Sequence, residues 1–447
     1  PTRVGVSLID SMSGLTGIVG LLSCLLRART TGQGCDVDTC LYDVAMHQLT
    51  YPGLWYLNEG DVSPRVPRSA HLSLAPVQTF PTKDGWIFIM CMTQKFWLSL
   101  CQAMDRTDLL DDPRFADPNT RAKNRAAMTE ALDPTFRTRT TAEWLAKLNG
   151  LLPAALTVAG AIWLTGGHGI RRAASRERRA ARARQSPPLR RTAAFADGLL
   201  AARGRQRIRV GSRHMKLQSI KVVDLSWFLP GPYLTTALAD HGAEVIKVEP
   251  PGEGDPGRHI RPADERTSVF FRNMGRGKKS VVLDLKSEQG RADLFRLARE
   301  ADVLVESFRP GVAARFGIGY EAVRAANPGI VYCSISAFGQ DGAYPGRAAH
   351  DLALEAMTGV LSLTLGDDGR PAIPGLPVAD LVSGLHALSG VLMALLRRKD
   401  TGRGDYIDVS MHEALMASCA NVVGSAFAEN RHPDVKQQRT TGGSAFY

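Results

Sequence analysis

From residue 215 onward the apolar positions switch between two periods. Short apolar runs at Ile220–Leu225, Ala243–Val248, Ser280–Leu283, Val303–Glu306 and Ile330–Ser334 read as buried strands. Between them Thr235–Asp240, Glu288–Arg299 and Glu321–Ala326 carry helical patterns, and Gly231-Pro232 sets a proline in the first turn of a helix. Strand, helix and strand in alternation predict an α/β fold with a doubly wound parallel sheet. After Asp380 the chain is apolar on nearly every face down to Arg397 and Arg398, with an acid at its start and Gly402 just beyond. This pattern predicts a buried helix whose first-turn amides hold the Asp380 carboxylate ionised, as an N-cap would.

The same pattern occurs twice. An offset of 370 aligns residues 1–39 with 371–409 without a gap, and 15 positions are identical, among them Asp10/Asp380, Gly14/Gly384, Gly20/Gly390, Gly34/Gly404 and Asp38/Asp408. A single long-period repeat implies two copies of one large unit rather than a solenoid. We therefore expect the tail of a large domain with connecting helices at 1–66, a small domain at 67–150 and a disordered linker at 151–214. A second large domain follows at 215–411, and 412–447 should be a connector and the start of a second small domain. On this reading each copy is incomplete, and Met215 is a plausible true start.

The net charge of +11 resides in one place. Residues 171–214 hold fourteen Arg, no Lys, one Glu and one Asp, a charge of +12, so the remainder carries 11 − 12 = −1. With one aromatic and no recognition motif, this stretch carries no nucleic-acid signature, and we read it as linker or out-of-frame translation. The seven cysteines show no CxxC pair or regular framework, which fits a reducing cytoplasm. The longest apolar run, 154–164, is too short to span a bilayer, so no membrane segment is expected.

Within 215–447 several motifs occur in order: Val222-Val-Asp-Leu-Ser, Pro230-Gly-Pro, Leu238-Ala-Asp-His-Gly-Ala-Glu-Val-Ile-Lys-Val-Glu-Pro-Pro-Gly, Val305-Glu-Ser-Phe-Arg-Pro-Gly, Ser334-Ile-Ser-Ala-Phe-Gly and His350-Asp-Leu, then Asp380. Together they resemble the class III CoA-transferases, the group that also contains α-methylacyl-CoA racemases. Residues 1–150 resemble that family's middle section, with Thr82-Lys-Asp-Gly-Trp and Asp112-Pro-Arg-Phe as marks. The resemblance implies a large domain, a smaller α+β domain and an interlocked homodimer acting on acyl-CoA and a small carboxylic acid, without a metal. It implies Asp380 as nucleophile, with His350 in or beside the site. It also implies Phe228, Leu229, Pro230, Ser307, Phe308 and Arg315 as CoA contacts, Lys278 and Lys279 (with Arg276) as further phosphate contacts, and Gly442 and Gly443 as a glycine loop over the intermediate.

Gly275-Arg-Gly-Lys-Lys-Ser mimics the end of a phosphate loop, but Arg272 stands where a glycine is required, which excludes an ATPase. The alternatives are racemisation at the α-carbon by His350 and Asp380, and an inactive fused remnant. Thr93, at the position where racemases of the family carry a glutamate, favours transfer. A rearranged chain in which the first copy completes the second is a further possibility.

Overall fold

The computed structural model describes residues 4–148 except 5, 61, 63–65, 67, 69, 72–73 and 92; residues 151 and 154–156; and residues 216–423 except 261–266, 342–343, 345, 367–370 and 421. Two bodies stand out by their cores. The smaller is an antiparallel sheet of β1 (Val77–Pro81), β2 (Trp86–Met90) and β3 (Ala154–Leu156), in that order. Its helices bury Trp97, Phe115, Phe136 and Trp144 against Phe80 and Ile87. Arg121 is fully buried among them, donating to the carbonyls of Ala75 (3.1 Å) and Phe115 (2.8 Å) and lying 4.9 Å over the Trp97 ring. The small domain thus reaches past 150, because β3 supplies the third strand to β2; the rest of the Arg-rich stretch lies outside the described residues.

The larger body is a six-stranded parallel sheet of β4 (Lys221–Asp224), β5 (Glu244–Glu249), β6 (Lys278–Val282), β7 (Val303–Glu306), β8 (Val331–Ser336) and β9 (Asp405–Ser410), in the order β6-β5-β4-β7-β8-β9. Period-2 geometry sends alternate side chains to opposite faces. Val222, Val303, Val305, Val331 and Cys333 join one core, while Val223, Leu304 and Tyr332 join another with Leu294, Ala298 and Val323. Helices therefore cover both faces, as the alternating pattern predicted.

The strands run outward from β4 to β6 and then restart at β7 on the other side of β4. The order therefore reverses between β4 and β7, and at such a switch point the loops beyond the strand ends diverge and open a crevice.

Two long helices, Leu8–Thr31 and Val378–Thr401, are equivalent in the repeat and pack against each other. Met12, Val19 and Leu26 of the first join the core that holds Leu385, Leu392 and Leu395 of the second. Arg29 pairs with Asp400 at 2.6 Å, and Lys399 donates to Thr30. Both helices are long and apolar enough to cross a membrane, contrary to the expectation from the longest uninterrupted apolar run; the second is mostly buried in the α/β body. Cys24 and Cys35 face each other across the turn at Gly32, with their Cα atoms 6.3 Å apart, and are paired.

Candidate functional site

The Val378–Thr401 helix starts two residues before Asp380, and its N-cap is Pro377, which has no side-chain acceptor. The orphan amides of its first turn find other carboxyls. Ala379 and Asp380 donate their backbone N–H groups to Asp351 Oδ1 (2.8 and 3.1 Å), and Val378 donates to Glu355 Oε1 (3.1 Å). The expected N-cap role for Asp380 is therefore corrected: Asp351 and Glu355, one turn apart on the Asp351–Met357 helix, do the capping.

The electrostatics change with it. Burial raises the Asp380 pKa well above the usual carboxylate range, and the neighbouring Asp351 charge raises it further. Burial likewise pushes Asp351 up to about 7, against the bonds from the Asp380 and Ala379 amides. Glu355 is raised by burial and by Asp351, with whose carboxyl it shares a hydrogen bond. Three carboxyls in one dry corner cannot all ionise at low cost, so protons are retained there at neutral pH. The sequence pattern predicts an ionised Asp380; the structure makes it a basic carboxyl. Glu355 carries no sequence signal beyond its four-residue spacing from Asp351.

The switch point brings several predicted residues to this corner. Trp227 N donates to Ser307 Oγ at 2.9 Å, joining the loops after β4 and β7, and the Trp227 and Phe308 rings meet edge-on at 6.3 Å. Phe228 holds a positive φ of 60°, a costly conformation for a bulky residue, and its ring meets that of His350 edge-on at 6.0 Å. Leu229 is buried, and the Pro230 carbonyl lies so close to Gly384 that a Cβ there would come within 2.9 Å of it. Pro230 thus sits one helical turn past Asp380. Burial, with the Arg309 charge, lowers His350 to about 4, so its imidazole is neutral at pH 7.

The basic candidates fare differently. Arg315 is exposed at the end of the short Val312–Arg315 helix. Lys279 is exposed and pairs with Glu244 at 2.5 Å. Arg276 pairs with Asp240 and donates to the Asn273 carbonyl. Lys278 is buried, and its Nζ bonds Asp224 Oδ2 (3.0 Å), Thr235 Oγ1 (2.7 Å) and the Pro232 carbonyl (3.1 Å), so all three donors are spent inside the protein. Burial opposes ionisation of Asp224, yet Lys247 and Lys278, with bonds from Ser226 and Thr235, hold its pKa far below the usual range. Lys278, Phe228 and Lys247 line one narrow cavity. Gly442 and Gly443 lie outside the described residues.

The smaller body reaches this region from the other side. Val77, Phe88 and Met90 pack with Leu352, the residue after Asp351. Thr93 caps the Gln94–Ala103 helix, accepting from Phe96 N at 3.3 Å. Among the described residues no cluster of metal-ligating side chains is present.

Comparison with known proteins identifies the family. The chain is 42% identical over 221 residues to the acetyl-CoA:oxalate CoA-transferase of Acetobacter aceti, a match covering 47% of this chain and 57% of that protein. It is 37% identical over 217 residues to the succinate–glutarate CoA-transferase of Agrobacterium fabrum, covering 47% and 54%. A solved CAIB/BAIF family protein from Brucella suis matches with 37% identity and a TM-score of 0.48, over 50% of this chain and 60% of that one. The chain thus spans about half the length of the curated relatives it matches. The profile described as CoA-transferase family III matches residues 1–173 and 217–447, so the chain belongs to CoA-transferase family III.

Proposed function

We propose that the chain transfers coenzyme A between carboxylic acids, with Asp380 as the covalent nucleophile. The observation that carries this reading is the release of Asp380 from capping: Asp351 and Glu355 take the first-turn amides, and Asp380 stands one helical turn before Gly384, against which the Pro230 carbonyl packs. Its raised pKa makes the ionised form a stronger nucleophile than an ordinary carboxylate.

A carboxylate oxygen of Asp380 attacks the thioester carbonyl carbon. The C–S bond breaks, CoA leaves as a thiolate, and a mixed anhydride remains. The thiolate then attacks Cγ of Asp380, the donor acid departs as a carboxylate, and an aspartyl-CoA thioester is left. The acceptor carboxylate reverses the sequence and regenerates Asp380. Each bond made resembles in activation the bond broken, so no nucleotide is consumed. The loops carrying Phe228 and Ser307-Phe308 are the proposed CoA contacts, the acceptor is a small carboxylic acid, and an interlocked homodimer in the cytoplasm is the proposed setting.

Hydroxylamine added during turnover tests the mechanism. An anhydride or thioester on the side chain becomes a hydroxamate, and the mass tag should map to Asp380. Asp380→Asn should keep acyl-CoA binding and lose transfer by roughly 10³-fold or more, as losing a covalent nucleophile does. A tag at Asp351, or an active Asp380→Asn protein, would refute the assignment. One observation favours racemisation instead, namely the neutral His350 beside Phe228. Incubation of a chiral 2-methylacyl-CoA in deuterated water decides: α-deuterium that depends on both His350 and Asp380 replaces the transfer reading.

A further inference from the structure

The two copies of the repeat sit in one molecule with opposite surroundings. In the second long helix, Gly384, Leu388, Val391 and Leu395 are buried, and the helix packs on β8, β9 and the Pro230–Asp240 helix. Their counterparts at the 370 offset are Gly14, Ile18, Leu21 and Leu25. Gly14 is exposed, and Ile18, Leu21 and Leu25 are 38%, 62% and 45% exposed. Spacings of four, three and four place all four on one stripe of the first long helix.

Close contacts in the second copy are likewise missing in the first. A Cβ at Gly384 would meet the Pro230 carbonyl at 2.9 Å, whereas one at Gly14 would find nothing within 4 Å. A Cβ at Gly404 would run into the backbone of Ile330, whereas one at Gly34 would again find nothing. Residues 405–410 form β9 along β8, but their counterparts, 35–40, belong to no strand. One contact internal to the segment persists: a Cβ at Gly390 would come within 3.2 Å of Ile407, and one at Gly20 within 2.6 Å of its counterpart Val37. The first segment keeps its internal packing, while among the described residues the surface that a sheet covers in the second copy is bare.

We propose that this stripe, together with residues 35–40, is a docking surface for a separate parallel-sheet unit of the kind residues 217–336 form. The internal copy identifies the occupant. Branched side chains at 18, 21 and 25 fit a sheet face, glycines at 14 and 34 admit the close approach of a loop and a strand end, and 35–40 adds a parallel edge strand. A second copy of this chain suits the surface poorly, because its own sheet is already covered by Val378–Thr401.

The inference does not depend on the transfer chemistry, and its test leaves that reading untouched. Leu21→Cys is introduced into the full chain and into an extended chain in which a second copy of residues 215–370 is joined to Pro1, the register found at 370/371. Maleimide labelling at position 21 is followed by peptide mass spectrometry. Labelling should be rapid in the full chain and at least tenfold slower in the extended one, and Gly34→Phe should restore it there. Equal rates, or an added unit that stays protease-sensitive, overturn the proposal. So do slow labelling in the full chain at all concentrations, which means the chain covers itself, and labelling that slows with protein concentration, which means a second copy. Protection by anionic lipid vesicles but not by the added unit assigns the face to a bilayer and overturns it too.

Discussion

Lys278→Met separates a buried structural cation from a ligand for CoA phosphate. Three hydrogen bonds end on the Lys278 ammonium, at 2.7 to 3.1 Å, and its partner Asp224 is fully buried. Removing one member of a buried pair leaves the other charge uncompensated, which costs about 3–5 kcal/mol. Lys247 also acts on Asp224 and should hold the cost to the lower end. For a domain of this size each kcal/mol lowers the melting temperature by about 2–4 °C, so the variant should melt about 6–12 °C lower. Asp224→Ala combined with Lys278→Met should recover part of the loss, because the two residues form one network. Calorimetry reads stability, and isothermal titration of CoA reads affinity on the folded fraction. An unchanged melting temperature with CoA affinity lowered tenfold or more would refute the structural reading and restore Lys278 as a phosphate contact.

The Asp351–Glu355–Asp380 corner predicts pH-dependent stability. Carboxyls raised in the folded state bind protons that the unfolded chain releases, so their contribution is complete below the unfolded carboxyl range and is lost as pH rises through about 7. His350, lowered to about 4, acts in the opposite sense, as do the similarly buried His71 and His241, until the unfolded imidazole is also neutral, roughly a pH unit above its ordinary value of about 6.5. Between about pH 7.5 and 9 the unfolding free energy from urea titration should therefore fall, by about 1.4 kcal/mol per pH unit for each extra proton held, and Glu355→Gln should flatten the slope; a free energy that rises across this window contradicts the raised values. The glycine pair offers a contrast. Gly404→Ala should cost about 1–3 kcal/mol through its collision with Ile330, whereas Gly34→Ala, facing open space, should leave thermal unfolding unchanged. Asp10→Asn should not alter transfer, since Asp10 is exposed while Asp380 lies against the capping carboxyls.

The alternation of apolar runs and helical patterns was enough to predict a parallel α/β sheet, because period 2 and period 3.6 are local properties of the chain. The 370-residue offset was likewise legible, and so was the bundle of motifs that picked out Asp380, His350, Phe228 and Ser307. What each side chain does there was decided by packing. Whether Asp380 caps its own helix depends on whether another carboxyl reaches the same amides, and Asp351 and Glu355 arrive from 23 to 29 residues earlier. Lys278 and Lys279 are neighbours in sequence, yet pleating turns one into the Asp224 network and the other to solvent, where it pairs with Glu244. The two copies of the repeat carry the same glycines and the same aliphatic stripe, and only the tertiary structure buries one of them, since burial belongs to the pair of surfaces in contact and not to the helix that carries either one.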